Sequence, residues 1–417
     1  MDDAGETLRQ AARERAYSIP LDQINMADPD LMRADAIWPY FERLRAEEPV
    51  HLGVHEEAGP YWSVTKFNDI MTVDTNHQVF SSARSITLFD QDEDFQLPMF
   101  IAMDPPRHDE QRKTVSPIVS PHNLMNLEPI IRERAAKILD DLDIGGEFNW
   151  VDKVSIELTT MTLATLFDFP WEDRRKLTRW SDVATATTDS GIIESEDQRR
   201  AELYECVDYF LRLWNERVNA PPRNDLISML AHGESTRNMD RQEYLGNLIL
   251  LIVGGNDTTR NTISGSVLAL NQNPDQYDKL RADPALIPNM VSETIRWQTP
   301  LAYMRRTATE DFRLRDKVIR AGDKVLMWYV SGNRDEEAIA DPNRYDIERE
   351  RARHHLSFGF GIHRCVGNRL AELQLRVIWE EILKRFPVIE VTGEPRRVHS
   401  SFVRGYEDLP VRISNRT

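Results

Sequence analysis

The stretch Phe358-Gly359-Phe360-Gly361-Ile362-His363-Arg364-Cys365-Val366-Gly367 decides how this chain is read. Its three glycines permit tight or left-handed backbone and let a flat ligand approach the main chain closely. The stretch leads into a helical run from Asn368 to Glu381, so main-chain amides and a helix N-terminus stand where they can stabilise a Cys365 thiolate. An inert buried thiol needs no flanking glycines. The other cysteine, Cys206, lies in a helical stretch between Glu205 and Val207 and fits that inert role.

Upstream, Gly254-Gly255-Asn256-Asp257-Thr258-Thr259 follows the longest purely aliphatic run of the chain, Leu248 to Val253. Two glycines in mid-helix cost about 1 kcal/mol each relative to alanine. A sequence tolerates this where the helix opens or a ligand lies against its backbone. Asp257 beside Thr258 sets an acid and an alcohol at that point, able to organise water and pass protons. An N-cap uses the same residue types, but apolar helical positions continue at Ile263, Val267 and Leu270, which places the motif inside the helix. A Cys365 thiolate on haem iron would favour O–O cleavage, and oxygen activation consumes the two protons that an acid–alcohol pair can deliver.

Around these motifs the chain reads as mainly α with a minor β region. Residues 1–18 are polar and charged, a loosely held tail, and residues 19–417 form a single domain. Ile37, Phe41 and Leu44 predict an amphipathic helix over Ala36–Glu47. A small sheet is expected within His51–Val64, and short strands over 311–330 and 388–413. Helical spacing dominates from about 108 to 385. Two apolar stretches, Ser85–Met103 and Thr187–Asp197, read as loops that are either lids and pocket walls or simple covers of the core.

The 417 residues carry 52 Lys and Arg against 69 Asp and Glu, a net charge of −17. That balance argues against general nucleic-acid binding and against an anionic membrane as partner. No run approaches the roughly 20 apolar residues of a membrane span, and the N-terminus shows no export pattern. Two cysteines exclude a disulfide scaffold and a four-cysteine zinc site. A reduced, cytoplasmic, soluble protein is expected.

The cysteine stretch meets every fixed position of F-G-x-G-x-H/R-x-C-x-G, the cysteine-ligand pattern of the cytochrome P450 superfamily, which the chain resembles. The resemblance implies the fold of that family, with haem b between a distal long helix and a proximal cysteine-loop helix, and Cys365 as axial ligand. It assigns Asp257 and Thr258 to the distal acid–alcohol motif. It assigns Glu293, Arg296 and Arg344 to a buried Glu-Arg-Arg network supporting the cysteine loop. His108 and Arg112, at i and i+4 on one helix face, match the family's grip on one haem propionate. Arg306 and His363 match the grip on the other; Arg305 could replace Arg306.

The reaction implied is ferredoxin-dependent monooxygenation, one oxygen atom of O2 entering a C–H bond of a hydrophobic substrate. Electrons would come from a separate iron–sulfur ferredoxin and its flavin-dependent reductase, with Lys113, Arg351, Arg353 and Arg364 as candidates for a basic docking patch. Leu97, Met99, Phe100, Val253, Gly254, Leu301, Met304 and Phe402 are the expected pocket residues. Leu97–Pro106 and Gly254–Asn261 further resemble the bacterial alkane and fatty-acid terminal hydroxylases, which implies omega hydroxylation of medium-chain n-alkanes or fatty acids. A monomer is expected; a bulkier terpene or steroid substrate is the alternative, and a non-catalytic haem-binding protein is the alternative of another class.

Overall fold

The structure, a computed structural model, describes residues 3–186 and 188–416. Its longer helices are α1 (Asp3–Ser18), α2 (Trp38–Glu47), α3 (Phe67–Thr75), α4 (Arg107–Val115), α5 (Pro121–Asp140), α6 (Glu157–Phe167), α7 (Arg175–Thr185), α8 (Glu196–Val218), α9 (Arg241–Gln272), α10 (Pro274–Ala282), α11 (Ile287–Gln298) and α12 (Asn368–Arg385). One sheet runs β1 (Val50–His55), β2 (Gly59–Val64), β5 (Lys324–Met327), β4 (Met304–Ala308), β3 (Phe80–Ser81). Within it β2 and β5 are parallel, and the other neighbours are antiparallel. Smaller β pairings lie within 311–319 and 388–413, as the sequence predicts.

Helix α9 organises the rest. Asp240 caps it by accepting from the Glu243 amide at 2.9 Å, the kind of side-chain bond that satisfies orphan donors at a helix start. Its 32 residues then run unbroken through the Gly254–Thr259 motif. Most of its faces are buried, as expected of a central helix, and the buried residues include polar ones such as Asn247, Asp257 and Arg260. The main core surrounds it and includes Trp150, Trp180 and Trp379. Trp379 on α12 donates to Ser266 on α9 at 2.8 Å, tying the cysteine helix to the central one.

The N-terminal stretch departs from the expected tail. Residues 3–18 form α1, and Ala16 is wholly buried. Arg43 of α2 holds its end by donating to the Ala16 and Ile19 carbonyls at 2.7 and 2.6 Å, while Arg13 pairs with Glu42 at 2.9 Å. A helix whose polar residues find partners on another helix looks in sequence like a solvated one.

The two apolar loops sit differently. Residues 85–103 cross the cavity described below, with one 3-10 turn at Phe100–Ala102. Of the second loop, Thr187 lies outside the described residues, and Ile193 is buried in the core. Replacing Arg43 by alanine removes two charge-assisted bonds, a loss of about 1.5–3 kcal/mol each at most. The midpoint of thermal unfolding should fall, and amide exchange over residues 10–18 should quicken. Unchanged exchange there would show that α1 is held by other contacts.

Candidate active site

The cysteine stretch folds as a tight loop. Gly359 and Gly361 sit at φ +63° and +65°, and a Cβ on Gly361 would lie 2.6 Å from the Asp74 carbonyl oxygen. Only glycine accepts both conditions. The Cys365 amide closes the loop onto the Phe358 carbonyl at 2.8 Å. Asp74 of α3 supports it from behind: one oxygen accepts from the Phe360 amide and the Tyr329 hydroxyl, both at 2.8 Å, and the other pairs with Arg306 at 2.9 Å.

Cys365 faces a cavity of about 360 Å³. A single water needs only about 10–15 Å³ on the same measure, so this space suits a large ring with a second molecule beside it. Gly254 and Thr258 of α9 line the opposite side. Beyond Gly254 nothing stands within 4 Å of where a Cβ would be, whereas Gly255 makes room for Leu163 of α6. Burial pushes the Cys365 thiol up, opposed by the Gly367 amide and by the charges of Arg112 and Arg364.

Polar groups gather at one edge of the cavity, where His108, Arg112, Arg306 and His363 all line it. The two imidazoles meet edge to face with centroids 4.3 Å apart. His108 Nδ1 lies 2.7 Å from Asp109, and Ser82 Oγ lies 3.0 Å from His363 Nε2. This leaves His108 Nε2 and His363 Nδ1 buried without a protein partner. Each such atom costs about 1–3 kcal/mol, so both point to a polar group the chain does not supply. Burial lowers both imidazoles, His363 to about 2 with help from the positive charge of Arg306. Arg112 also donates to the Arg364 carbonyl, joining α4 to the cysteine loop. Arg305 turns the other way, pairing with Asp90 at 2.7 Å and donating to the Leu88 carbonyl at 3.0 Å. Of the two neighbours, Arg306 is the one at the cavity.

The acid and the alcohol of α9 face different ways. Thr258 lines the cavity and donates to the Gly254 carbonyl at 2.9 Å. The helix is therefore not opened at this point; the hydroxyl bonds back one turn. Asp257 is buried on the side facing α7, where it accepts from Ser181 at 2.8 Å and pairs with Arg260 at 3.1 Å. Arg260 also pairs with Asp182 at 2.7 Å, so one buried guanidinium bridges two carboxylates. Burial raises the pKa of Asp182; the Arg260 charge opposes that rise and the Asp257 charge adds to it. Sequence spacing puts Asp257 beside Thr258 but gives no sign of this seam.

The Glu-Arg-Arg network needs one correction. Glu293 and Arg296 are fully buried and bidentate at 2.7 and 2.8 Å. The second arginine is Arg349, whose Nε lies 3.0 Å from Glu293. Arg344 offers only its carbonyl, to Arg296 and Arg349, and its side chain is exposed. Arg296 also fixes the Asn333 and Pro342 carbonyls at 2.8 Å. Asn333 in turn accepts from the Leu356 amide at 2.6 Å, and its side-chain amide reaches Ser357 at 2.9 Å. The network thus supports the start of the cysteine loop. Among the expected pocket residues, Met99, Phe100, Val253, Gly254, Leu301, Met304 and Phe402 line the cavity. Leu97 does not: its amide donates to Gln91 at 2.6 Å and its side chain packs on the core.

A thiol on one face, unpaired imidazole nitrogens and two guanidiniums at one edge, and apolar walls elsewhere together define a haem-thiolate site. The thiol suits the iron, and the edge suits two propionates, since a buried carboxylate must be paired. A family model described as cytochrome P450 matches residues 144–406, and the chain belongs to that family: it is a haem b monooxygenase. It is 34% identical over 403 residues to linalool 8-monooxygenase of Pseudomonas putida, covering 94% of this chain and 99% of the relative. A methyl-branched lipid omega-hydroxylase of Mycobacterium tuberculosis is 32% identical over 427 residues, with 97% and 99% covered. Among solved structures, CYP153D17 from Sphingomonas sp. PAMC 26605 is 50% identical with a TM-score of 0.88, covering 95% of this chain and 100% of that one. Cytochrome P450-153 from Novosphingobium aromaticivorans is 47% identical with a TM-score of 0.88, covering 93% and 99%. No described helix is long and apolar enough to cross a membrane.

Two substitutions separate the arginines. Arg349→Ala strips one partner from a buried carboxylate and should destabilise by about 3 kcal/mol or more. Arg344→Ala touches an exposed side chain and should stay within about 0.5 kcal/mol. Chemical denaturation of both variants checks the order; equal losses would return Arg344 to the network.

Proposed function

We propose that this monooxygenase hydroxylates the terminal methyl group of linear hydrocarbon chains, drawing electrons from a separate iron–sulfur ferredoxin. The observation that carries the reading is the distribution of polarity in the cavity. Among the described lining residues every cation, Arg112 and Arg306 with His108 and His363 beside them, belongs to the edge that suits the propionates. The walls toward the substrate are Ile86, Met99, Phe100, Leu250, Leu301 and Met304. Neutral groups such as Thr87, Gln91 and Thr185 also line the cavity, but away from the propionate edge no cation is available to a substrate carboxylate, which favours an n-alkane over a fatty acid whose head would lie inside. Selecting a methyl group over the weaker C–H bonds beside it requires the chain to enter end-on and be held there. A relative named as an omega-hydroxylase acts on methyl-branched lipid, in keeping with attack at a chain end.

When bound, haem supplies the oxygen activation, and the chain supplies the setting. Cys365 provides the thiolate. Thr258 places a hydroxyl over the cavity; Asp257, one residue earlier, faces the α7 seam, where Arg260 joins it to the partly exposed Asp182, so water would have to carry a proton between the acid and the Thr258 hydroxyl. On the cysteine side, Lys113, Arg351, Arg353 and Arg364 are all exposed, a cationic rim for an acidic electron donor despite the negative net charge.

Two measurements test this reading. Optical titration of the ferric protein with graded alkanes, fatty acids, terpenes and steroids should give a high-spin shift with linear chains and a clear length optimum. A shift confined to bulky ligands would discard the linear-chain reading in favour of a terpene or steroid, the direction in which the linalool 8-monooxygenase relative points. Thr258→Ala should keep reductant consumption within a few-fold while product per reductant falls about tenfold or more, within the range removal of a proton-transfer group produces. Unchanged coupling would remove Thr258 from proton delivery.

A further inference from the structure

The 85–103 loop is one segment in sequence but two in its attachments. Within its first part, 86–90 is tied to buried groups, since the Arg305 amide and guanidinium donate to the Ile86 and Leu88 carbonyls at 2.8 and 3.0 Å and Leu88 is wholly buried, whereas 92–94 is held at the surface. Asp90 pairs with Arg305 at 2.7 Å and Lys324 at 3.1 Å. Asp92 and Asp94, with side chains 60% and 74% exposed, pair with Arg200 of α8 at 2.7 and 2.8 Å. Arg200 also lies over the Phe95 ring. Ion pairs so exposed contribute little and are screened by salt.

The second part is built into α9. A Cβ on Gly246 would overlap the Pro98 carbonyl group, so the loop backbone lies directly on the helix backbone there. The next helix residue, Asn247, is fully buried, and its side-chain oxygen accepts from the Phe100 amide at 3.0 Å. Its amide nitrogen donates to Gln111 at 3.1 Å. Gln111 donates in turn to Glu243, which pairs with Arg107 at 2.6 Å. Phe100 and the residues around it, Met99, Ile101 and Ala102, all line the cavity. A buried hydrogen bond of this kind is expensive to leave unmade, and Gln111 stands on α4 between His108 and Arg112.

We infer that Gly246 and Asn247 are specificity-determining positioning residues, which lock 98–102 onto α9 as a fixed wall while 92–94 is the part of the loop that yields to admit substrate. Cavity width is then set by the α9 contact, and entry rate by the exposed ion pairs. The inference rests on the monooxygenase assignment and not on the linear-chain reading. If bulky ligands prove natural, the starting selectivity changes, but the division of the loop does not.

Amide hydrogen exchange on the wild-type protein is the first test, since it needs no variant to fold. The Phe100 amide should exchange at least 100-fold more slowly than amides over 92–94. Comparable rates would overturn the division. The second test is optical titration of the ferric protein with a linear and a branched alkane of equal carbon number. Gly246→Ala and Asn247→Ala should each change the ratio of their dissociation constants tenfold or more, with faster exchange at Phe100. Arg200→Ala should raise association rates for both ligands in 50 mM salt, leave the ratio within twofold, and lose its effect on rate in 1 M salt. A ratio moved by Arg200→Ala as far as by Asn247→Ala, or unmoved by both α9 variants, would overturn the assignment of width to Gly246 and Asn247.

Discussion

A carboxylate taken out of water must be answered by donors from the protein, and the Asp74 carboxylate is answered from three directions. Arg306 reaches it from β4, Tyr329 from the segment after β5, and the Phe360 amide from the cysteine loop. One buried group therefore fixes the sheet, helix α3 and the cysteine loop relative to one another. It does so at the cavity edge, so the same guanidinium that neutralises Asp74 also faces the space meant for the cofactor. Glu293 repeats the device on the other side of the loop, with Arg296 and Arg349 as its partners. Between these two carboxylates the position of Cys365 is overdetermined, as a ligand that must hold one geometry requires.

The cavity formed in this way carries its cations along one edge and is mainly apolar elsewhere. Its polar edge is not balanced internally: two imidazole nitrogens remain without partners, and Arg112 meets only a carbonyl among hydrogen-bond acceptors. The protein alone bears that cost, and a dianionic cofactor removes it. Cofactor binding and folding are thus linked in the sense that a ligand which binds only the folded chain stabilises it. The central helix serves both halves. Its Gly254 face leaves room over the cavity, while its Gly255 face is filled by Leu163.

The chemistry of the cysteine stretch and of the distal motif is legible in the sequence because each packs unusual residue types into a few consecutive positions. A cysteine among glycines, and an acid–alcohol pair behind two mid-helix glycines, are costly arrangements that packing alone does not require. Long-range pairing leaves no such trace. Asp74 lies 286 residues from Phe360 and reads as one more carboxylate on an amphipathic helix. Arg349 and Arg344 are both arginines in a charged turn, and only the fold shows that the turn points one inward and the other out. The α1 helix reads as a tail because its polar residues are answered by α2, and a sequence shows the charge but not the partner. Adjacent residues on one helix also hide their directions. Asp257 and Thr258 are neighbours in the chain, yet about 100° of helical rotation sends one to the α7 seam and the other to the cavity.

That seam constrains how this enzyme can diverge. Asp257, Arg260 and Asp182 form a buried trio in which one cation balances two anions at short range. Losing Arg260 first would strand two carboxylates together, and losing Asp257 first would remove both the acid and half of the cation's charge balance. Asp182 has a side chain 28% exposed, so its loss leaves a charge that water can still reach. Effects within so close a cluster are not additive. Substitutions at the three positions are therefore coupled, and Asp182, at the α7 end, is the one whose loss leaves the least charge stranded out of reach of water.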